Sequence, residues 1–258
     1  MKLHRALVTT WLPAIVLLHG CSVTGQRQHP DFDENRRLIE QVAVLPPKVE
    51  IKMITFTGEN EELFEREADI AAKLDESARR ILEDRGYAVC GTHFDKLAET
   101  DPDLAFQTEQ LRTAFTEASK DLYTGQMVSA EDYKRFDVTV GPIVNRFSEV
   151  ANADALLLMT FSGIVKSEGE MRKEIAASIL LAALTGSYAH PASEAAAVEV
   201  ALLDGNTGDV LWTNVNSATN LSPAVLRGAL EKIPVREKPA TPAEAAAPET
   251  PADTLEDN

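Results

Sequence analysis

Cys90 and His93 stand three residues apart, a spacing that suits two ligands of one zinc ion. A structural zinc site needs four, and no second pair follows, so metal chemistry is not expected there. The other histidines are His4, His19, His29 and His190. Gly186-Ser187-Tyr188-Ala189-His190 brings a serine near a histidine, but the G-x-S-x-G elbow that presents a nucleophilic serine is absent; a loop is expected. No P-loop and no dinucleotide fingerprint occurs. The many carboxylates could hide an acid/base pair of the kind glycosidases use, yet most fall on the polar faces of expected helices, where solvated charge suffices. Asp204 and Asp209 invite a calcium-loop reading. They bound a six-residue turn that lacks the bidentate glutamate of an EF-hand, and turn chemistry explains them. Trp212 is read as core or interface packing rather than a ligand platform. No catalytic residue, cofactor or metal is therefore expected, and the chain is expected not to be an enzyme.

The remaining reactive residue is Cys21. Before it come Lys2 and Arg5, then an almost uncharged apolar run from Ala6 to Leu18, the layout of a secretory signal. That run is shorter than the roughly 20 residues a helix needs to cross a bilayer. Leu18-His19-Gly20-Cys21 resembles the lipobox of bacterial lipoproteins: Leu18, Gly20 and Cys21 match the pattern, and His19 departs from it. The resemblance implies cleavage before Cys21 and acylation of that residue (palmitate-type chains), hence residues 1–20 as signal peptide. The alternative is an ordinary signal followed by a chance cysteine. Ser22, where aspartate would signal inner-membrane retention, implies the outer membrane, with the protein facing the periplasm. An acylated Cys21 forms no disulfide, and Cys90, in Gly86-Tyr87-Ala88-Val89-Cys90, is expected as a buried, unreactive thiol on a strand.

Charge excludes some functions. The chain has 258 residues with 25 Lys+Arg and 41 Asp+Glu, and removing residues 1–20, which carry Lys2 and Arg5 and no acid, takes the net charge from −16 to −18. A surface so acidic is unsuited to nucleic acid or to anionic lipid held by charge. Residues 21–37 are polar and are expected to form a flexible tether. Residues 235–258, with Pro239, Pro242, Pro248 and Pro251 among Ala, Thr and Glu, have too little to bury and are expected to be a disordered tail.

Residues 38–234 read as one α/β (α+β) domain. Val42–Leu45 is a short apolar strand stopped by Pro46-Pro47, and Val49–Phe56 alternates as a half-exposed strand. The period changes to that of a helix over Asn60–Arg85, with Leu63, Ile70, Leu74, Ala78 and Ile81 on one stripe and Gly86 as its terminator. Asp101-Pro102 caps and opens a second helix, part of a helical insertion near residues 100–135. A third helix is expected over Pro142–Ala151. Ala155–Ser162 reads as a strand covered on both faces. The segments Ala195–Leu203 and Val210–Ser217 flank the Asp204–Asp209 turn as a hairpin, and Ser222–Ile233 closes the domain as a helix. The expected architecture is a single mixed sheet of about four to six strands flanked by helices. Ile175–Gly186 is apolar on nearly every side. It is either a buried helix packed on the sheet, or an exposed one that forms a homo-oligomer interface or dips into the membrane.

Three phrases carry a further resemblance: Glu83-Asp84-Arg85-Gly86-Tyr87-Ala88-Val89, Ala153-Asp154-Ala155-Leu156-Leu157-Leu158, and the hairpin from Leu202 to Trp212. They resemble bacterial envelope lipoproteins with a fold like the amino-terminal domain of TolB. That group includes the curli-secretion lipoprotein, the Pel polysaccharide-export lipoprotein, the peptidoglycan-synthase activator lipoprotein and uncharacterised relatives. The resemblance implies a non-enzymatic accessory or scaffold for envelope assembly or export. Its partners would be envelope proteins and the membrane reached through lipid on Cys21. Activation of a peptidoglycan synthase, or a carboxylate-based hydrolase, is the alternative.

Overall fold

The computed structural model describes residues 25–55, 57, 60–123, 138–185 and 191–236. In chain order the elements are β1 (Arg27–Gln28), α1 (Phe32–Asn35), β2 (Gln41–Val44), β3 (Lys48–Ile54), β4 (Asn60–Glu62), α2 (Phe64–Asp84), β5 (Ala88–Val89), α3 (Phe94–Thr100), α4 (Pro102–Tyr123), α5 (Val144–Ala151), β6 (Ala155–Lys166), α6 (Glu168–Thr185), β7 (Glu194–Asp204), β8 (Val210–Ala218) and α7 (Ala224–Leu230).

All eight strands join one mixed sheet, in the order β1-β8-β7-β6-β2-β5, with β3 also on β6 and β4 on β3. Five of them, β2, β3, β6, β7 and β8, are four residues or longer. The long strand β6 organises the rest. Its first residues pair in parallel with β2 (Val42↔Ala155 to Val44↔Leu157), and its last seven pair in parallel with β3 (Lys48↔Thr160 to Ile54↔Lys166). Pro46-Pro47, which lack N–H donors for a ladder, fall between those two stretches. On its other edge β6 pairs antiparallel with β7 along its length, and β7 with β8.

Helices cover both faces, giving three layers. On one side α2 and α7 bring Ile70, Leu74, Ala78, Leu82, Val225, Leu226 and Leu230 against Val44, Leu157, Met159, Val200 and Trp212. On the other, α3, α4 and α5 bring Phe94, Leu104, Leu111, Phe115 and Phe147 against Leu45, Leu156, Leu158 and Leu203. That double cover is why β6 is apolar without alternation through its first five residues. Burying one such leucine contributes roughly 1.5–3 kcal/mol.

Several expectations are corrected. Asn60–Glu62 is not the first turn of a helix but strand β4, antiparallel to β3, and the helix begins at Phe64. Its last turn ends as expected, with Gly86 at φ +87° and its N–H donating to the Glu83 carbonyl. Asp101 caps α4 through Oδ1, which accepts the N–H groups of Asp103 and Leu104 at 3.1 Å each. The tether expected over 21–37 does not extend through its described part. β1 pairs with Trp212 and Thr213, the His29 N–H donates to the Leu211 carbonyl, and Phe32 is fully buried. A single large aromatic in a polar stretch had enough area to dock it. The tail boundary moves as well: Arg236 N–H donates to the Arg85 carbonyl, and Arg236 pairs with Glu40. The rest of the tail, 237–258, and residues 124–135 of the insertion lie outside the described residues.

Candidate functional site

Among the described residues, the chemistry-bearing residues singled out from the sequence do not converge. Cys21, Ser187 and His190 lie outside the described residues. Cys90 is a buried free thiol, with Sγ donating to Gln41 Oε1 at 3.4 Å. Burial first, and the nearby Asp154 carboxylate second, push its pKa up, away from the reactive thiolate. His93 instead occupies the N-cap position of α3. The carbonyls of Cys90 and Thr92 between them accept from Arg79, whose guanidinium also bonds Asp75. Asp204 Oδ1 accepts the N–H groups of Asn206 and Thr207 at 2.8 Å each, and Asp209 Oδ2 accepts the Thr207 hydroxyl. Both aspartates act within the turn. Trp212 is fully buried in the α2/α7 core layer.

One polar groove is formed by segments distant in sequence. It has a volume of about 440 Å³ and is lined by Glu40 and Gln41 before and at the start of β2, Asn145, Ser148 and Glu149 of α5, Asp154 before β6, and Asn206 of the hairpin turn. Asp154 is its structural centre. Its Oδ2 accepts the N–H groups of Glu40 and Gln41 at 2.8 Å each, its N–H donates to the Gln41 carbonyl, and its carbonyl accepts from Gly205. A carboxylate that accepts two backbone N–H groups is held fixed in place, suited to positioning the segments around it. The Ser148 hydroxyl, buried at the groove wall, has no hydrogen-bond partner among the described residues.

Glu199 is the residue that sequence reasoning passed over. It sits in mid-β7, opposite Thr160 of β6 and Val215 of β8. Its Oε1 is buried with no hydrogen-bond partner among the described residues, and burial pushes its pKa up to about 7. The signal was present: it is the one acid between Ala195 and Leu203 in an otherwise apolar strand.

No family model matches the chain, and no curated protein matches its sequence. The fold is similar to those of solved structures. The crystal structure of lipoprotein GNA1162 from Neisseria meningitidis matches at 14% identity, over 69% of this chain and 78% of that one, with a TM-score of 0.31. The PelC dodecamer from Paraburkholderia phytofirmans matches at 13% identity, over 81% and 94%, at 0.30. The LpoB C-terminal domain from Salmonella enterica matches at 11% identity, over 69% and 82%, at 0.27. These belong to the classes of protein that the sequence resembles. The superpositions are loose, and the architecture rests on the strand order and register given above.

α6 differs from the other long helices. None of its described side chains, up to Leu180, belongs to either core layer, and Ile179 and Leu180 are 57% and 66% exposed. The buried-helix alternative for Ile175–Gly186 therefore does not hold at these two positions; the side chains of 181–186 lie outside the described residues.

Proposed function

We propose that this chain is a lipid-anchored accessory protein of the bacterial envelope that works by binding other envelope proteins rather than by catalysis. The observation that carries the reading is the interval between Cys21 and the sheet. The lipobox-like cysteine stands six residues before Arg27, where the chain is already paired with Thr213 of β8. An acyl group at Cys21 would hold the domain directly against a leaflet, with no long leash. Ser22 after the cysteine favours the outer membrane.

The groove around Asp154 supports a binding role, since its central carboxylate is already committed to the ends of β2. The same short interval counts against an activator that must reach through the cell wall: residues 25–37 are part of the fold, so about 20 Å of extended chain separates Cys21 from β1. The test is metabolic labelling with a palmitate analogue, followed by crosslinking in intact cells. Wild type should take up label, partition into detergent and give defined crosslinked species; Cys21→Ser should lose all three. An unlabelled wild type, or labelled protein whose crosslinks are the same in Cys21→Ser, overturns the reading.

A further inference from the structure

α6 leaves the sheet at one end. It follows Lys166 at the end of β6, where the Ser167 N–H donates to the Ile54 carbonyl at the end of β3, and the chain returns through Glu194 at the start of β7. The register places the end of β8 there too, since Ala218 pairs with Ala196. The amino-terminal chain arrives from the same end. β1 is antiparallel to β8, with Arg27 opposite Thr213 and Gln28 opposite Trp212, so stepping back from Arg27 moves along β8 toward Ala218.

The lengths agree. From Thr213 to Ala218 is about 17 Å at 3.3 Å per residue, and from Arg27 back to Cys21 is about 20 Å at full extension. The end from which α6 projects, roughly three strand spacings, or about 14 Å, across the sheet from β1, is thus within the span that a lipid on Cys21 can reach. α6, which starts at that end, exposes Ile179 and Leu180, and Ile164 of β6 is 43% exposed. The charges nearby neutralise one another in pairs, Lys166 with Glu174, Arg172 with Glu168 and Lys173 with Glu170. From Ile175 to Thr185 the helix carries no charge.

We infer that the apolar half of α6 is a second membrane contact, lying in the interfacial zone of the leaflet that holds the Cys21 acyl chains. This rests on the lipid-anchor reading and extends it: the domain is held at two points and has a fixed orientation, with the Asp204–Asp209 turn facing away from the bilayer. No described helix is long and apolar enough to cross a membrane. Helices that lie at the interface instead bury an apolar side among acyl chains; the several acyl chains at Cys21 suffice for attachment, and a second contact adds orientation. Because the charges of α6 are balanced once Lys166 of β6 is counted, its attachment is apolar and indifferent to anionic lipid.

The test uses the full-length protein, lipidated in cells and reconstituted in phosphatidylethanolamine vesicles containing a brominated phosphatidylcholine, with and without phosphatidylglycerol. Once residues 1–20 are removed, Trp212 is the only tryptophan, and it is buried. Ile179→Trp should therefore emit at shorter wavelength than an exposed tryptophan and lose half or more of its added emission to the brominated lipid. Asn206→Trp, at the opposite end of the sheet, should be unaffected, and phosphatidylglycerol should change neither. An unquenched Ile179→Trp overturns the inference, whether it emits as a solvated residue or is covered by a second copy that crosslinks to it. Intact mass separates the readings: an acylated but unquenched protein sinks the α6 contact alone, whereas a chain without acyl mass sinks the anchor and the contact with it.

Discussion

The carbonyl oxygen of Gly141 occupies the place where a side chain on Gly208 would begin: a Cβ at Gly208 would lie 2.1 Å from it. The two glycines bring the segment before α5 against the hairpin turn, where the Val140 N–H donates to the Gly208 carbonyl and Thr139 bridges to Asp209. Gly208 also has φ +80°, a region where any Cβ is strained. Gly208→Ala should therefore destabilise the domain by roughly 2 kcal/mol or more, lowering the midpoint of thermal unfolding by about 4–8 °C. Gly91→Ala, with nothing near its Cβ, should stay close to wild type in the same melt.

Asp154→Ala should cost about 1–3 kcal/mol, because it leaves the Glu40 and Gln41 N–H groups without their acceptor. Asp154→Asn keeps an oxygen in place and should lose much less. Urea unfolding of the pair separates the hydrogen bonds from the charge; equal losses would show that charge, not acceptance, matters.

Glu199 makes stability depend on pH. Its folded pKa, about 7, lies above the ordinary 4.5, so the native state holds the proton more tightly than the unfolded chain. Stability is greatest below about pH 4.5, falls as pH rises through the interval, and levels off above about 7; for this group the loss is on the order of 3 kcal/mol. Glu199→Gln should match wild type near pH 4 and exceed it at pH 8, in chemical unfolding curves at the two values. A constant difference between them would mean that Glu199 finds a partner when ionised.

Thiol counting tests both cysteines. Cys90 should resist Ellman's reagent in the folded protein and react at once in denaturant, because burial both shields it and raises its pKa. Denatured wild type should then give one thiol per chain with Cys21 acylated, and two if that residue is bare.

Ending the chain after Ile233 should lower the thermal midpoint relative to ending it after Arg236. The shorter chain loses the Pro234 carbonyl that accepts from Tyr87 and the Arg236 N–H that donates to Arg85. Equal midpoints would show that this short stretch is only a passenger.

What could be read from the sequence was local. The stripe of α2, the Asp101-Pro102 start of α4 and the Asp204–Asp209 turn each declare themselves within a few residues, through periodicity, capping or turn chemistry. Glu61 and Glu62 imitated the acidic first turn of a helix, and only pairing with β3, set by tertiary contact, makes their segment a strand. β1 is two polar residues long, and no pattern of that length announces a strand. The groove was illegible for a related reason: β2, α5, the start of β6 and the hairpin turn meet there only through the sheet order. Glu199 alone left a mark that could have been weighed.

The division of labour along β6 governs the order in which the chain can fold. β6, β7 and β8 follow one another in the chain, β7 and β8 closing through a tight turn and β6 and β7 through α6, whereas β2 and β3 need β6, and β1 needs β8, across most of the domain. A chain delivered amino-terminus first presents β1, β2 and β3 long before β6 and β8 exist, with only the short strands β4 and β5 at hand to pair with β3 and β2, and distant pairings form slowly in any case. Its first half must wait, open, until the carboxyl-terminal half has emerged.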